Sequence, residues 1–144
     1  SKKMETELYR AKRVDNNDWV YGPYAFYASN KGLKRAIYTG TNLGCVIPIE
    51  VVPDTVGRCT GIRDINGTLI FQGDILKITY DDDTFYTTEV RAYGSTLCVD
   101  VEGEDYNFTA IDFAVDDWKD EYCDWEVVGN IYDNQEEQKT NEAV

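Results

Sequence analysis

The sequence predicts a mainly β protein organised around a small barrel. Aromatic residues make up 13% of the 144 residues, with 11 Tyr, 5 Phe and 3 Trp. Aromatic side chains favour strands over helices. Short β-prone stretches also recur along the chain, separated by turn signals about every ten residues, which is typical of small barrels.

The N-terminal part predicts a β-hairpin over residues 6–27. The cluster Asp15–Asp18 supplies turn residues between two stretches rich in aromatic and β-branched side chains. Gly22-Pro23 then predicts a bulge or bend, because proline cannot donate to a strand ladder. Residues 29–35 contain three cations and are predicted to form a basic loop, followed by a short strand at residues 36–39.

Residues 45–78 predict an edge strand followed by a hairpin. Pro48 interrupts the apolar stretch at residues 45–52, which is therefore expected to form an edge strand or a strand that changes direction. Within residues 58–78, two β-prone stretches flank Asn66-Gly67, a pair typical of a type I′ turn because both residues accept positive φ. Asp64 and Asp74 are expected to accept hydrogen bonds from turn amides rather than to act chemically.

The remaining chain predicts further strands, one ambiguous segment and a tail. The strands are expected at residues 74–80, 84–93, 96–101, 106–111 and 125–132, with a turn at residues 103–105. Near residues 112–122 a short helix is the alternative to a strand, since four apolar residues approximate a helical stripe. These are Phe113, Val115, Trp118 and Tyr122. Residues 133–144 are polar and predict a frayed tail.

Charge divides the chain into two unlike parts. The formal net charge is −13. Residues 1–50 carry eight Lys and Arg against five Asp and Glu, whereas residues 51–144 carry six against 22. Phosphate repulsion disfavours nucleic-acid binding by the acidic part, so direct nucleic-acid binding is the less expected activity. A basic partner, or the positive part of a second copy, suits the acidic part better.

The cysteines and the missing histidine argue against metal chemistry and catalysis. The four cysteines, Cys45, Cys59, Cys98 and Cys123, form no CxxC pair, and the chain contains no histidine. Reduced, mostly buried thiols are therefore expected, with no cofactor and no metal. Without histidine the commonest general base is absent, so we expect no enzyme. No apolar run reaches the roughly 18 residues of a membrane span, and no signal peptide is evident, which predicts a cytoplasmic protein.

The residues at 8–22, 52–75 and 125–132 form three blocks that resemble the YopX family, small proteins encoded mainly by phages and prophages of Gram-positive bacteria. Leu8–Asn16 with Trp19–Gly22 is similar to the family's Phe-Arg-Gly-Lys-Arg-x-Asp-Asn-Gly-x-Trp-Val-x-Gly. Val52–Ile75 is similar to Pro-Glu-Thr-Val-Gly-Gln-Tyr-Thr-Gly-Leu-x-Asp-x-Asn-Gly followed by Ile-Phe/Tyr-Glu-Gly-Asp-Ile/Val. Trp125–Tyr132 is similar to the closing Tyr-Glu-Val-Ile-Gly-Asn-Ile-Tyr.

The resemblance implies an SH3-type barrel and no reaction. We expect the barrel at about residues 54–132, an N-terminal β-rich extension at residues 1–53 packed on it, and the tail at residues 133–144. The chain departs from the family pattern at three places: Ala11 for Gly, Arg58-Cys59 for Gln-Tyr, and Gln72 for Glu. None of these departures touches a residue with a known role.

Two groups of residues are candidates for interaction. An aromatic and basic group near the N-terminus suits protein docking or nucleic-acid stacking, with core packing as the structural alternative. It consists of Tyr9, Arg10, Lys12, Arg13, Trp19, Tyr21 and Tyr24. An acidic group in the last third consists of Asp116, Asp117, Trp118, Asp120 and Glu121. Its acids lack the spacing of a calcium loop and are expected to form a solvated surface.

The preferred functional hypothesis is a phage accessory protein that is not an enzyme and binds a host or phage protein or assembles with itself into a homo-oligomer. A second hypothesis is a DNA mimic, whose carboxylates would occupy the basic channel of a host nucleic-acid enzyme. A third is a nucleic-acid binder that uses the basic N-terminal third. The sequence names no partner.

Overall fold

The chain divides into two compact units, Ser1–Gly61 and Ile62–Val144. The structure is a computed structural model and describes residues 8–40, 43–102 and 108–133. The described residues are mainly β, with an α-helix of ten residues, and residues 131–133 are also helical. This confirms the predicted fold class. Each unit has a hydrophobic core of its own.

The first unit is built from two antiparallel sheets. Its strands are β1 (Tyr9–Lys12), β2 (Trp19–Gly22), β3 (Tyr24–Ser29), β4 (Gly32–Gly40), β5 (Val46–Glu50) and the start of β6 (Gly57–Arg63). The strands follow the orders β2-β1-β6 and β3-β4-β5, and the first sheet continues from β6 to a fourth strand, β7 (Leu69–Phe71). The core consists of Ala11, Ile37 and Val51, with Tyr9, Val20, Tyr24 and Val56 packed against it.

The predicted N-terminal hairpin is present as β1 and β2. Their register runs from Tyr9 opposite Gly22 to Lys12 opposite Trp19. The Arg13 amide closes the turn by donating to the Asp18 carbonyl over 2.8 Å. Gly22 ends β2 where a Cβ atom would collide with the Tyr38 carbonyl oxygen, so only glycine fits there. After this bend the chain enters the second sheet.

The basic loop predicted at residues 29–35 is wrong. The segment forms a regular hairpin of β3 and β4, in which Ser29 pairs with Gly32 and Ala28 with Leu33. Its turn contains only residues 30–31, and the Ser29 hydroxyl donates to the Gly32 carbonyl over 2.8 Å. Two of the cations that suggested a loop, Lys34 and Arg35, lie in β4, and Lys31 lies in the two-residue turn. The predicted edge strand is confirmed, because β5 is the last strand of its sheet.

The boundary between the units falls after Gly61, beyond the predicted boundary at residue 53. The reason is strand pairing: Gly57 and Arg58 lie opposite Arg10 and Tyr9 of β1. The Cys59 amide also donates to the Leu8 carbonyl over 2.9 Å. Residues 54–61 therefore belong with the N-terminal strands.

The second unit contains the α-helix and the remaining strands. These are β7 (Leu69–Phe71), β8 (Asp74–Thr79), β9 (Phe85–Glu89), β10 (Arg91–Tyr93), β11 (Thr96–Asp100), β12 (Phe108–Ala110), α1 (Ile111–Asp120) and β13 (Asp124–Asn130). Two three-stranded sheets follow the orders β13-β8-β9 and β10-β11-β12. Both sheets and α1 contribute to one core, centred on Leu76, Ile78, Val99 and Trp118. Over the described ranges the strands form separate sheets, and the SH3-type barrel stays a prediction.

The turn at Asn66-Gly67 is present but is not of type I′. Of its two residues only Gly67 has positive φ, at 81°. The Gly67 amide donates to the Asp64 carbonyl, and the Asp64 amide to the Thr68 carbonyl, both over 2.9 Å. This is the pattern of a three-residue hairpin loop with glycine in the left-handed position.

The strand predicted over residues 84–93 is divided by Val90. Val90 is fully buried, and its amide donates to the Asp74 carbonyl over 2.9 Å. Its carbonyl accepts from the Gly73 amide over 2.8 Å. The chain therefore turns from one sheet into the other at this residue, with β9 before it and β10 after it.

The last elements differ slightly from the prediction. α1 buries Ile111, Ala114, Val115 and Trp118, whereas Phe113 and Tyr122 of the predicted stripe are exposed. The final strand ends at Asn130, because the Asn130 side chain accepts the Tyr132 and Asp133 amides over 3.0 and 2.8 Å. The predicted turn at residues 103–105 and the predicted tail from residue 134 onward lie outside the described residues.

Candidate interaction surfaces

Four residues of the predicted aromatic and basic group share one face of the β1–β2 hairpin. Side chains alternate along a strand, and the register places Arg10 opposite Tyr21 and Lys12 opposite Trp19. The Arg10 guanidinium carbon lies 4.5 Å from the Trp19 ring centroid, and the Lys12 Nζ lies 5.4 Å from it. Both distances are typical of cation–π contacts. The structure thus brings these four side chains together.

Burial changes what this face offers to a partner. Arg10 is 6% exposed and Lys12 is 3% exposed, whereas Tyr21 is 48% exposed. Long cationic side chains can cover apolar surface with their stems, and here the charged groups are enclosed as well. The prediction of a basic surface formed by Arg10 and Lys12 is therefore wrong. The exposed part of the face is the aromatic ring of Tyr21.

The other three members of the group lie elsewhere. Tyr9 and Tyr24 pack against the first core, with ring centroids 5.5 Å apart. The Tyr24 hydroxyl accepts a hydrogen bond from Arg35 over 3.2 Å. Arg13 pairs with Asp15 over 2.7 Å, and this pair lowers the pKa of the Asp15 carboxyl and raises the pKa of Arg13. All three have partners within the fold, as the structural alternative expects.

The acidic group follows α1 and its C-terminal end. Asp116, Asp117, Asp120 and Glu121 are exposed, as the prediction of a solvated acidic surface requires. Trp118 is 2% exposed, and its indole N–H donates to the Tyr86 hydroxyl over 3.1 Å. Trp118 is therefore a core residue, and its inclusion among the interaction residues is wrong.

The β3–β4 hairpin carries an exposed apolar surface formed by Phe26 and Leu33, and sequence reasoning did not single out Leu33. Phe26 is 56% exposed and Leu33 is 74% exposed. Arg35 lies opposite Phe26, with its guanidinium carbon 5.6 Å from the ring centroid. The alternation of Leu33, Arg35 and Ile37 along one strand face is the signal that could have revealed it.

A second aromatic cluster lies on the outer face of the β10-β11-β12 sheet. The rings of Tyr93 and Phe108 are 4.7 Å apart, and the Arg91 guanidinium carbon lies 4.1 Å from the Phe108 centroid. Arg91 also pairs with Asp100 over 2.9 Å. These side chains pack on one another across neighbouring strands of the sheet, so cross-strand packing explains the cluster.

Titratable groups near the second core are held in their neutral forms. Burial and a hydrogen bond to Glu102 raise the pKa of Tyr80 to about 12. Burial likewise raises the pKa of Tyr86. Burial, together with Glu121, Asp81 and Asp124, raises the pKa of the Cys123 thiol, which disfavours the thiolate. These environments suit structural groups.

The described residues offer little that could hold a small ligand. They include no group of three or more Cys, Asp or Glu side chains placed to bind a metal ion. A surface cleft beside β5 is lined by Arg13, Val14, Asp15, Pro48, Ile49 and Glu50. Its arginine and Asp15 already pair with each other. Over the same described ranges, no helix is long and apolar enough to cross a bilayer.

Comparison with known proteins places the chain in a family. The sequence matches the family described as YopX protein over residues 8–137. The chain belongs to the YopX family. The fold is similar to the crystal structure of the yopX protein from Bacillus subtilis, with a TM-score of 0.57 and 22% identity. That similarity covers 91% of this chain and 97% of the other. No curated protein matches the sequence significantly.

In this YopX family member the second block of family sequence, residues 52–75, contains two aspartates that stabilise the fold. Asp64 Oδ1 accepts the Asn66 and Thr68 amides, each over 2.9 Å. Its Oδ2 accepts the Val127 amide of β13 over 2.9 Å. Asp74 Oδ2 accepts the Phe71 amide over 2.7 Å. The predicted structural role of both carboxylates is confirmed.

Proposed function

We propose that this YopX family member is a phage or prophage accessory protein whose role is protein interaction and self-assembly. One observation carries the proposal: formal charge changes sign at the boundary between the two units. Residues 1–61 carry nine Lys and Arg against six Asp and Glu, and residues 62–144 carry five against 21. Opposite potentials steer association and select the partner.

Exposed side chains of both signs support this proposal. In the second unit, the outer face of α1 displays Asp112, Asp116 and Asp120 around the exposed ring of Phe113. In the first unit, the β3–β4 hairpin carries exposed Lys31 and Arg35 beside exposed Phe26 and Leu33. Each surface combines apolar side chains with one sign of charge, which suits docking of one copy on another.

A role without catalysis fits the chemistry of the side chains. The chain has no histidine to serve as a general base. Asp64 and Asp74 are occupied by backbone amides, and the raised pKa of Cys123 disfavours a nucleophilic thiolate. These features support an interaction module over a hydrolase or transferase.

The experiment is sedimentation velocity of the full chain at low and high salt. We expect assemblies that shrink as salt increases, because screening weakens contacts between exposed charges. Arg35→Glu and Asp116→Lys should each weaken assembly alone, and an equimolar mixture of the two variants should associate again. Lys119→Glu, a charge change of the opposite sense on the same helix, should not weaken assembly. A monomer at every salt concentration, or no recovery in the mixture, would contradict the proposal.

DNA mimicry is a second candidate, favoured by one row of acids. Asp112, Asp116 and Asp120 follow one another at four-residue intervals on α1, a rise of about 6 Å per step. Other exposed acids, such as Asp81–Asp83, lie in a turn without such a spacing. Replacing the helix triad by Asn should abolish competition with duplex DNA for a basic DNA-binding protein. The same change at Asp81–Asp83 should not.

Direct nucleic-acid binding through the basic N-terminal third is less well supported. Burial of Arg10 and Lys12 removes two of its cations from the surface. A mobility-shift assay at low salt tests this possibility, and an unshifted oligonucleotide is the expected result.

A further inference from the structure

The two edges of the β3-β4-β5 sheet differ in how they are protected. At the β5 edge, Pro48 has no N–H to offer. The Glu50 carbonyl accepts the Val14 amide over 3.1 Å, and Arg13 forms a β-bridge with Val51. Proline and covering chain are the devices by which proteins block pairing at an edge. The β5 edge is therefore closed.

The β3 edge is open. The Tyr38 amide donates to the Pro23 carbonyl over 3.0 Å, so in this antiparallel pair the backbone groups of Ala25, Tyr27 and Ser29 face β4. The amides and carbonyls of Tyr24, Phe26 and Ala28 point away from the sheet. Among the described residues none forms a backbone hydrogen bond with these three. A row of free donors and acceptors thus lies along one side of β3.

Nothing in β3 itself discourages pairing. The strand reads Tyr-Ala-Phe-Tyr-Ala-Ser, without a charge or a proline. Its register with β4 is continuous from Tyr24 to Ser29, without a bulge. Phe26, at its centre, is 56% exposed. A regular, uncharged and apolar edge strand is a template for another strand.

We infer that β3 pairs antiparallel with β3 of a second copy, about a two-fold axis at Phe26. This register places the outward groups of Phe26 opposite those of Phe26 in the second copy. Tyr24 then faces Ala28 of the second copy, and the reverse. On the other face of the sheet, Tyr27 meets Ala25 of the second copy. Tyr24 and Tyr27 each lie opposite an alanine methyl group, and the two Phe26 rings meet at the axis, so the strand is sterically complementary to itself.

The charges near the edge tolerate this pairing. Lys34 and Arg35 lie on β4, one strand behind the edge. With strands about 4.8 Å apart, the two β4 strands of the dimer are separated by about 14 Å. That distance exceeds the Debye length of about 8 Å at physiological ionic strength, so repulsion between charges held near β4 is largely screened. The Arg35 guanidinium lies nearer the edge, 5.6 Å from the Phe26 ring centroid, and at about 1 M salt the Debye length of about 3 Å screens it as well. Lys34 is also paired with Glu50 at 3.8 Å.

The inference deepens the proposed function, because it names one interface of self-assembly. This interface consists of backbone hydrogen bonds and apolar contacts, whereas the proposed charge-driven contacts join unlike units. The two are separable by salt. At high salt, where charged contacts are screened, we expect the β3 dimer to remain as the residual species.

The first experiment replaces the residue at the two-fold axis and measures mass by sedimentation equilibrium at high salt. Phe26→Lys places two cations opposite each other on the edge and should abolish the dimer. Leu33→Lys makes a similar change on the neighbouring strand, at a side chain that is 74% exposed, and should leave the dimer intact. Circular dichroism checks that both variants fold. A dimer that survives Phe26→Lys would overturn the inference.

The second experiment tests the register without removing the interface. Directly opposed residues have Cα atoms about 5.5 Å apart, within reach of a disulfide. In a Cys45→Ser background, which removes the one exposed native thiol, Phe26→Cys should cross-link rapidly under mild oxidation. Ala25→Cys should not, because its counterpart lies diagonally across the pair. Equal cross-linking of both variants would contradict the two-fold at Phe26.

The outcomes separate the inference from the proposed function. A dimer at high salt without further assembly at low salt supports the β3 interface and contradicts charge-driven assembly. Assembly at low salt that dissociates to monomers at high salt supports the charge-driven contacts and overturns the β3 interface.

Discussion

At the scale of single residues, Asp64 is the side chain that joins the β6–β7 turn to β13. Its two carboxylate oxygens accept three backbone amides, two within the β6–β7 turn and one in β13. The side chain is buried, at 7% exposed. Removing the carboxylate would leave these donors without a partner where water has poor access.

We therefore expect Asp64→Ala to lower the free energy of unfolding by about 3 kcal/mol, measured by urea denaturation. Asp82→Ala is the matched control, since Asp82 also accepts the amide and hydroxyl of Thr84, but in a fully exposed turn. Its effect should be clearly smaller. Equal losses for the two variants would show that the link from Asp64 to β13 contributes little.

Residue roles set by local chemistry were predictable, and those set by register were not. The sequence alone indicated that Asp64 and Asp74 would bind turn amides, because an aspartate in a turn or just before a strand commonly does so. Burial of Arg10 and Lys12 was not predictable. It depends on Trp19 lying across both cations from β2, and this contact exists only once the hairpin register is fixed.

At the scale of elements, α1 shows how a helix with few apolar residues is anchored. Its buried side is formed by Ile111, Ala114, Val115 and Trp118. The Trp118 ring packs 5.8 Å from Trp125 of β13 and donates to Tyr86 of β9. The Trp118 side chain therefore links the helix to two strands of the β13-β8-β9 sheet.

Trp118→Ala should accordingly cost about 4 kcal/mol of stability, because loss of a large buried ring leaves a cavity and removes the hydrogen bond that the Tyr86 hydroxyl accepts. Phe113→Ala, five residues earlier on the exposed side of α1, should change stability by less than about 0.5 kcal/mol. Thermal and urea unfolding of the two variants measure the difference. A large loss for Phe113→Ala would show that its ring has a partner in the folded protein.

Element prediction failed where composition and pairing disagree. Ser29–Arg35 was expected to form a loop because it contains Lys31, Lys34 and Arg35, yet these lie in a strand hairpin whose long side chains project from the sheet. Residues 84–93 were expected to form one strand, since nothing local marks Val90 as the point where the chain changes sheets. Its role comes from hydrogen bonds to residues 73 and 74, which are distant in sequence.

At the scale of the whole molecule, two buried phenols and a buried thiol that stay neutral in the folded state make the free energy of unfolding depend on pH in the alkaline range. In the folded state the pKa of Tyr80 is raised from 10.0 to about 12, first by burial and then by Glu102. The pKa values of Tyr86 and Cys123 are raised as well. Above about pH 10 the unfolded chain loses protons that the folded chain keeps, so unfolding becomes more favourable as pH rises.

We expect stability to decline as the pH rises from about 10 to about 12, and Tyr80→Phe to make this decline shallower. Urea midpoints measured across this pH interval test the slope. Tyr93→Phe, which removes a phenol from an exposed position, should follow the wild type. An identical decline in Tyr80→Phe would show that Tyr80 does not contribute to it.

Charge segregation and the mainly β class were evident from the sequence, since both follow from composition. The division after Gly61 was not evident. It depends on Gly57 and Arg58 pairing with β1, a contact across more than forty residues that no local pattern marks. The SH3-type barrel, which came from the family resemblance, remains a prediction for the second unit.

One strand has a practical consequence for how this protein can be divided. β6 runs from Gly57 to Arg63, and the boundary between the units lies inside it. Its first residues complete the sheet of β1 and β2, while Ile62 packs against the second core. If the chain is cut at either end of β6, one of the two fragments therefore lacks this strand. Separate expression of the halves would require each fragment to include all of β6.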